Sequence, residues 1–133
     1  MASVLFLCVH NAGRSQMAAG FMRLLSGGEV EVFSGGSEPV EFTNPVAVAV
    51  MAEKGIDISD QKPEPWTNER LDAADVVVTM GCGDECPVLP GKRYLDWALD
   101  DPSEKSLEDV RVIRNEIQTL VESLLAELAG QSA

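Results

Sequence analysis

The stretch that most constrains this chain is a run of four apolar residues, Val4-Leu5-Phe6-Leu7, that passes directly into Cys8-Val9-His10-Asn11-Ala12-Gly13-Arg14-Ser15. Beyond Ser15 the residues Met17, Ala18, Phe21, Met22, Leu24 and Leu25 recur at helical spacing. A strand with no polar alternation is one buried on both faces, and strand, tight loop and helix in succession open a βαβ unit. Later segments repeat the theme. Gly27-Gly28 ends the helix, Val30 to Ser34 alternates as a second strand, and Gly35-Gly36 reads as a turn. Asn44 caps a helix that starts at Pro45, turns Val46, Val50 and Met51 inward and stops at Gly55. After a loop with Pro63 and Pro65 and a short helical stretch through Leu71, Asp75 to Met80 reads as another strand buried on both faces. Arg93-Tyr94-Leu95 is a short extended piece and Asp96 to Pro102 a loop. From Ser106 onward Leu107, Val110, Ile113, Ile117, Leu120, Val121, Leu124, Leu125 and Leu128 form one stripe, with Glu108, Arg111, Arg114, Glu116, Glu122 and Glu127 on other faces. The expected fold is α/β: a single three-layer domain over residues 1–133, with a four-stranded parallel sheet flanked by helices.

A length of 133 residues suits one domain. Ten Lys and Arg against 22 Asp and Glu give a formal charge of -12, which leaves no basic face for a phosphate backbone and argues against nucleic acid as a partner. No apolar stretch approaches the roughly 20 residues that span a bilayer, so no membrane association is expected. The run Val4 to Cys8 is too short for a signal peptide and lacks a basic lead-in, so a cytoplasmic location is expected. Three cysteines cannot all pair, and in a reducing compartment their use is chemical.

Between Cys8 and Arg14 lie Val9, His10, Asn11, Ala12 and Gly13, with no proline and no acid among them. Each can offer a backbone N–H, and such a loop before a helix start suits a tetrahedral anion such as phosphate or arsenate. Arg14 adds a planar pair of donors for two of its oxygens. The same surroundings favour the thiolate of Cys8, which makes it a nucleophile. Ser15 is placed to donate to that sulfur, and Asn11 to hold the loop through side-chain bonds. His10 is the only histidine, but its backbone position in the loop accounts for it without a catalytic role for the ring.

Cys8 to Ser15 followed by Gln16-Met17-Ala18 resembles the opening of the arsenate reductases that share the low-molecular-weight protein tyrosine phosphatase fold. The likeness continues through Phe33-Ser34-Gly35-Gly36, Glu53 to Ser59, Asp75 to Cys82 and Asp101-Pro102. Protonation of a leaving oxygen calls for a carboxylic acid, and Asp96, Asp100 and Asp101 are candidates. The resemblance implies Asp101, the aspartate before Pro102. It also implies a relay: Cys8 attacks arsenate, Cys82 attacks Cys8, and Cys86 closes a Cys82–Cys86 disulfide that thioredoxin or another redoxin reduces. Phosphate and sulfate are the expected substrate analogues. Some relatives use one cysteine and a low-molecular-weight thiol such as mycothiol, a route the two extra cysteines oppose. Potassium sites reported for some relatives use an acid on the first helix, where this chain has Ala18-Ala19-Gly20, so no metal or other cofactor is expected.

Two rivals follow from the same residues. A low-molecular-weight tyrosine phosphatase would use the same loop and acid on a phosphocysteine intermediate, but it leaves Cys82 and Cys86 idle. Its substrate ring also calls for an aromatic slot, and only 5% of the residues are aromatic. A zinc module built from Cys8, His10, Cys82 and Cys86 has the right ligand count but sets metal against Arg14. The expected assembly is a monomer or a weak dimer.

Overall fold

The computed structural model describes residues 2–8, 10–80, 93–97, 99, 102 and 105–131. In chain order the elements are β1 (Ala2–Leu7), α1 (Arg14–Ser26), β2 (Val30–Gly35), α2 (Pro45–Ala52), α3 (Asn68–Ala73), β3 (Val76–Thr79), β4 (Arg93–Asp96) and α4 (Leu107–Gln131). The strands form one parallel sheet in the order β2-β1-β3-β4.

The expected layers are present, and the period-two geometry of β1 explains how they form. Val4 and Phe6, fully buried, face a large core to which α1, α2 and α4 contribute Met17, Phe21, Met51, Ile113 and Ile117. Leu5 and Leu7 face the other way, against Leu71 and Ala74 at α3 and Val77 of β3, with Phe33, Trp66 and Tyr94 at the margin. Hence β1 carries no polar side chain after Ser3. Burying each large side chain there stabilises the fold by about 1.5–3 kcal/mol.

Local punctuation also follows the sequence. Gly27 closes α1 at φ 61°, a left-handed conformation that suits glycine. Asn44 caps α2 by accepting from the Val46 N–H at 2.9 Å, with Pro45 at the first helical position. Ser106 accepts from the Asp109 N–H at 3.2 Å at the start of α4.

Three expectations need correction. Gly35 is not a turn residue: it ends β2 opposite Leu7, and a Cβ there would lie 2.9 Å from the Trp66 backbone, so its role is to let a second backbone pass close by. Arg114 is buried within the interface of α4 with α2, where it donates to the Val50 carbonyl at 2.9 Å and to Glu53 at 2.6 Å. Leu107 opens the apolar stripe in sequence yet is exposed, because it sits in the first turn of α4, ahead of the buried Val110. Trp97 belongs to the core, its ring 5.8 Å from that of Phe6.

The strand order positions the site. From β1 the chain first moves to β2 on one side and later to β3 on the other. The crevice beyond the carboxyl ends of β1 and β3 is therefore the switch point at which open parallel sheets bind ligands. Cys8 follows β1 there, and Met80 follows β3.

Candidate active site

Cys8, buried at the end of β1, borders a cavity of about 220 Å³ together with His10, Ala12, Gly13, Arg14 and Pro102. Its backbone N–H bonds the Gly35 carbonyl at 3.2 Å, so the sulfur is held at a fixed height above the sheet.

The loop after Cys8 is fastened by its carbonyls. That of His10 accepts from the Val40 N–H at 3.3 Å, that of Asn11 from Gln16 Nε2 at 2.8 Å, and that of Ala12 from the Asn44 N–H at 2.8 Å. In a planar trans peptide the next N–H points opposite to the carbonyl, so the N–H groups of Asn11, Ala12 and Gly13 turn away from these fastenings. Among the described residues no acceptor takes the N–H of His10, Asn11, Ala12 or Gly13. Such a set of amides at the start of α1 is suited to a tetrahedral anion. Asn11 is in the left-handed region at φ 50°, which asparagine tolerates better than most residues and which tightens the loop.

Arg14, the first residue of α1, is buried, and its Nη1 donates to the carbonyls of Met80 at 2.8 Å and Leu99 at 3.0 Å. Both acceptors lie beyond strand ends on the far side of the switch point, so the guanidinium is aimed across the rim of the sheet. Gly13 lets Pro102 come close: a Cβ on residue 13 would lie 2.6 Å from Pro102 Cγ.

Among the described residues the sulfur has one short polar neighbour, Ser15 Oγ, at 2.9 Å. Donor and acceptor can be assigned. Asn11 Oδ1 accepts from the Glu64 N–H at 2.9 Å, a group that can only donate, which turns Asn11 Nδ2 toward Ser15 Oγ at 2.7 Å. Ser15 therefore spends its acceptor capacity on Asn11 and its proton on Cys8. All three residues are buried.

Of the residues expected from sequence, the structure thus brings together Cys8, His10, Asn11, Ala12, Gly13, Arg14 and Ser15. Val9, Cys82, Cys86, Asp100 and Asp101 lie outside the described residues. Asp96 bonds Thr79 Oγ1 at 2.8 Å at the end of β4. The His10 ring is exposed, and its Nδ1 donates to the Glu38 carbonyl at 3.0 Å. Among the described residues no group of three or more His, Cys, Asp or Glu is arranged to hold a metal. No described helix is long and apolar enough to cross a membrane.

Sequence reasoning passed over Phe42 and Gln61. Phe42 is 74% exposed and, with Val40, borders the Cys8 cavity. An aromatic residue between Glu41 and Thr43 was the available signal. Gln61 bonds Gln16 behind the loop, and nothing in its local sequence marks it.

Comparison with known proteins gives the family. Residues 3–133 match the family described as low molecular weight phosphotyrosine protein phosphatase. The glutaredoxin arsenate reductase of Synechocystis is 40% identical over 132 residues, covering 97% of this chain and all of that protein. Among solved structures, the thioredoxin-dependent arsenate reductase of Corynebacterium glutamicum superposes with a TM-score of 0.87 at 40% identity, over 98% of this chain and 63% of that longer one. A structure of an arsenate reductase in the phosphate binding state superposes at 0.85, also at 40% identity, over 96% of this chain and 98% of that one. The chain belongs to the low molecular weight phosphotyrosine protein phosphatase family and groups there with proteins named arsenate reductase.

Proposed function

We propose that the chain reduces arsenate to arsenite through Cys8. The observation that carries this reading is the buried Asn11–Ser15–Cys8 arrangement, which points a proton at the sulfur beside Arg14 and the amides of His10 to Gly13, which no described residue takes. Relatives named arsenate reductase along nearly the whole chain supply the substrate.

In the proposed sequence the loop amides and Arg14 hold the arsenate oxygens, and the Cys8 thiolate bonds to arsenic as one oxygen leaves. Asp101 protonates that oxygen, which departs as water. Pro102, its neighbour in sequence, borders the Cys8 cavity, which supports this assignment. The Cys82 thiolate then attacks Cys8 Sγ, and the electron pair of the breaking S–As bond stays on arsenic, so arsenite forms with a Cys8–Cys82 disulfide. Cys86 attacks Cys82 Sγ and returns Cys8 as a thiolate, leaving a Cys82–Cys86 disulfide. Two electrons from a redoxin dithiol, thioredoxin or glutaredoxin in kind, restore the pair. The neighbour's thioredoxin dependence and the relative's glutaredoxin name both support a protein dithiol over a small thiol such as mycothiol.

Mass spectrometry after a single turnover of arsenate without reductant tests the sequence. A Cys82–Cys86 disulfide with stoichiometric arsenite is expected; a mixed disulfide with an added small thiol and no internal pair overturns the relay.

A second activity, hydrolysis of an aryl phosphate, is favoured by Phe42, which offers the cavity an aromatic wall. Phe42→Ala should slow p-nitrophenyl phosphate hydrolysis while arsenate reduction stays within about twofold. Equal loss of both would remove the aromatic argument.

A further inference from the structure

The side chains behind the Cys8 loop form one continuous chain of hydrogen bonds from the surface to the sulfur. Arg23 Nη1 donates to Gln61 Oε1 at 2.7 Å, and Gln61 Nε2 to Gln16 Oε1 at 2.6 Å. Gln16 Nε2 donates to Asn11 Oδ1 at 3.1 Å, Asn11 Nδ2 to Ser15 Oγ at 2.7 Å, and Ser15 to Cys8 at 2.9 Å. Every donor points toward the sulfur.

The direction is set at each step by a group that has one polarity only. The guanidinium of Arg23 can only donate, which turns Gln61 Oε1 toward it. The Gln16 carbonyl can only accept, and it takes Gln61 Nε2 at 3.0 Å. The Asn11 carbonyl accepts Gln16 Nε2 at 2.8 Å, and the Glu64 N–H claims Asn11 Oδ1. No amide in the chain can flip without leaving a donor facing a donor, or an acceptor facing an acceptor. Gln61 is itself held in place, since its carbonyl accepts from Thr43 Oγ1 at 2.8 Å.

We propose that Gln61 and Arg23 are positioning residues for Cys8: through Gln16 and Asn11, whose orientations are locked by the Asn11 carbonyl and the Glu64 N–H, they extend the chain and strengthen the bond that Ser15 donates to the sulfur. The pair lies on the wall of a separate cavity of about 330 Å³ that does not include Cys8. Their effect is therefore transmitted through bonds and not by contact with substrate. Hydrogen bonds in series polarise one another, so the outer members strengthen the last one. This inference rests on Cys8 being the nucleophile of the proposed reaction, and it is tested on the thiol itself.

The experiment follows alkylation of Cys8 by iodoacetamide against pH in a Cys82→Ser, Cys86→Ser background. Gln61→Met removes the outer donor without changing charge. Its alkylation midpoint should rise by about half a pH unit, read as roughly threefold slower alkylation on the acid side. The charged groups around the chain stay the same in this variant: Arg14 and His10 at the sulfur's cavity, and Asp60, Lys62, Glu64 and Arg70 at the outer one. Arg23→Met should shift the midpoint in the same direction and by less, because the Gln16 carbonyl still orients Gln61. Arg23→Lys, which keeps a donor for Gln61 Oε1, should restore it. Lys62→Met removes a charge from the same cavity without touching the chain and should leave the midpoint unmoved; a shift as large as that of Arg23→Met would assign the effect to charge and overturn the proposal. Wild-type midpoints in Gln61→Met and Arg23→Met beside a raised one in Ser15→Ala would overturn it and leave the nucleophile in place. An unmoved midpoint in Ser15→Ala as well would remove both the proposal and the nucleophile assignment.

Discussion

The ring of Pro102 fills the space that any side chain on residue 13 would need, with the position of a Cβ on Gly13 only 2.6 Å from Pro102 Cγ. Close contact between these two residues seats Pro102 against the loop that joins Cys8 to Arg14. Gly13→Ala must push Pro102 away or deform the start of α1. Displacement of a reacting group by about 1 Å can cost 10²-fold in rate. Arsenate reduction by Gly13→Ala should fall by about that factor, while the thermal unfolding midpoint changes by only a few degrees.

Ser15→Ala leaves the buried Asn11 Nδ2 without its 2.7 Å acceptor and Cys8 without its donor. An unsatisfied buried donor costs about 1–3 kcal/mol, which urea unfolding of the variant should show. Single-turnover arsenate reduction should slow together with Cys8 alkylation. Ser15→Ala with wild-type stability and wild-type alkylation would contradict the assigned direction of these bonds.

Glu53 joins α2 to α4. It accepts from Arg111 Nη2 and from Arg114 Nη1, each at 2.6 Å, and these bonds, Arg111 first, hold its carboxyl at about 2 against an ordinary value of 4.5. A carboxylate held below its unfolded value contributes stability above about 4.5 and loses it as pH falls toward 2. Glu53→Gln should therefore lower the urea midpoint at pH 7 and converge on the wild type as pH drops through that window. A difference that is constant with pH would show that packing, not charge, is responsible.

Gly35→Ala places a Cβ 2.9 Å from the Cα and N of Trp66. Backbone cannot yield as a flexible side chain does, so a loss of about 1–3 kcal/mol is expected, measured by thermal unfolding. The Cys8 N–H bond to the Gly35 carbonyl ties this position to Cys8, so activity should decline with stability.

The two ends of the anion loop were legible in sequence because their requirements are local. Cys8 needs a strand before it and Arg14 a helix after it, and the amides between them are offered by the backbone whatever the side chains do. Asn44 and Pro45 were legible for the same reason, since capping is a matter of neighbouring residues. Gln61 was not, because its role depends on the loop after α2 folding back beside α1, and 45 residues separate it from Gln16. Arg114 was placed only off the apolar stripe, and its burial was not legible because the carbonyl and the carboxylate that receive its guanidinium belong to Val50 and Glu53, neither of which is near it in sequence. Gly35 was assigned to a turn because nothing in the residues around it records the approach of Trp66.

Among the described residues, the bonds that shape the cradle of Cys8 come from Gly35, Val40, Asn44, Gln16 and Glu64, all contributed by chain that precedes β3. Chain that follows β3 reaches this cradle through the carbonyls gripped by Arg14 and through Pro102. The molecule is thus divided into an anvil and whatever is brought down upon it. In the proposed relay the sulfurs of Cys82 and Cys86 change partners during a turnover while the first sulfur keeps its footing, ready for the next oxyanion as soon as it is set free.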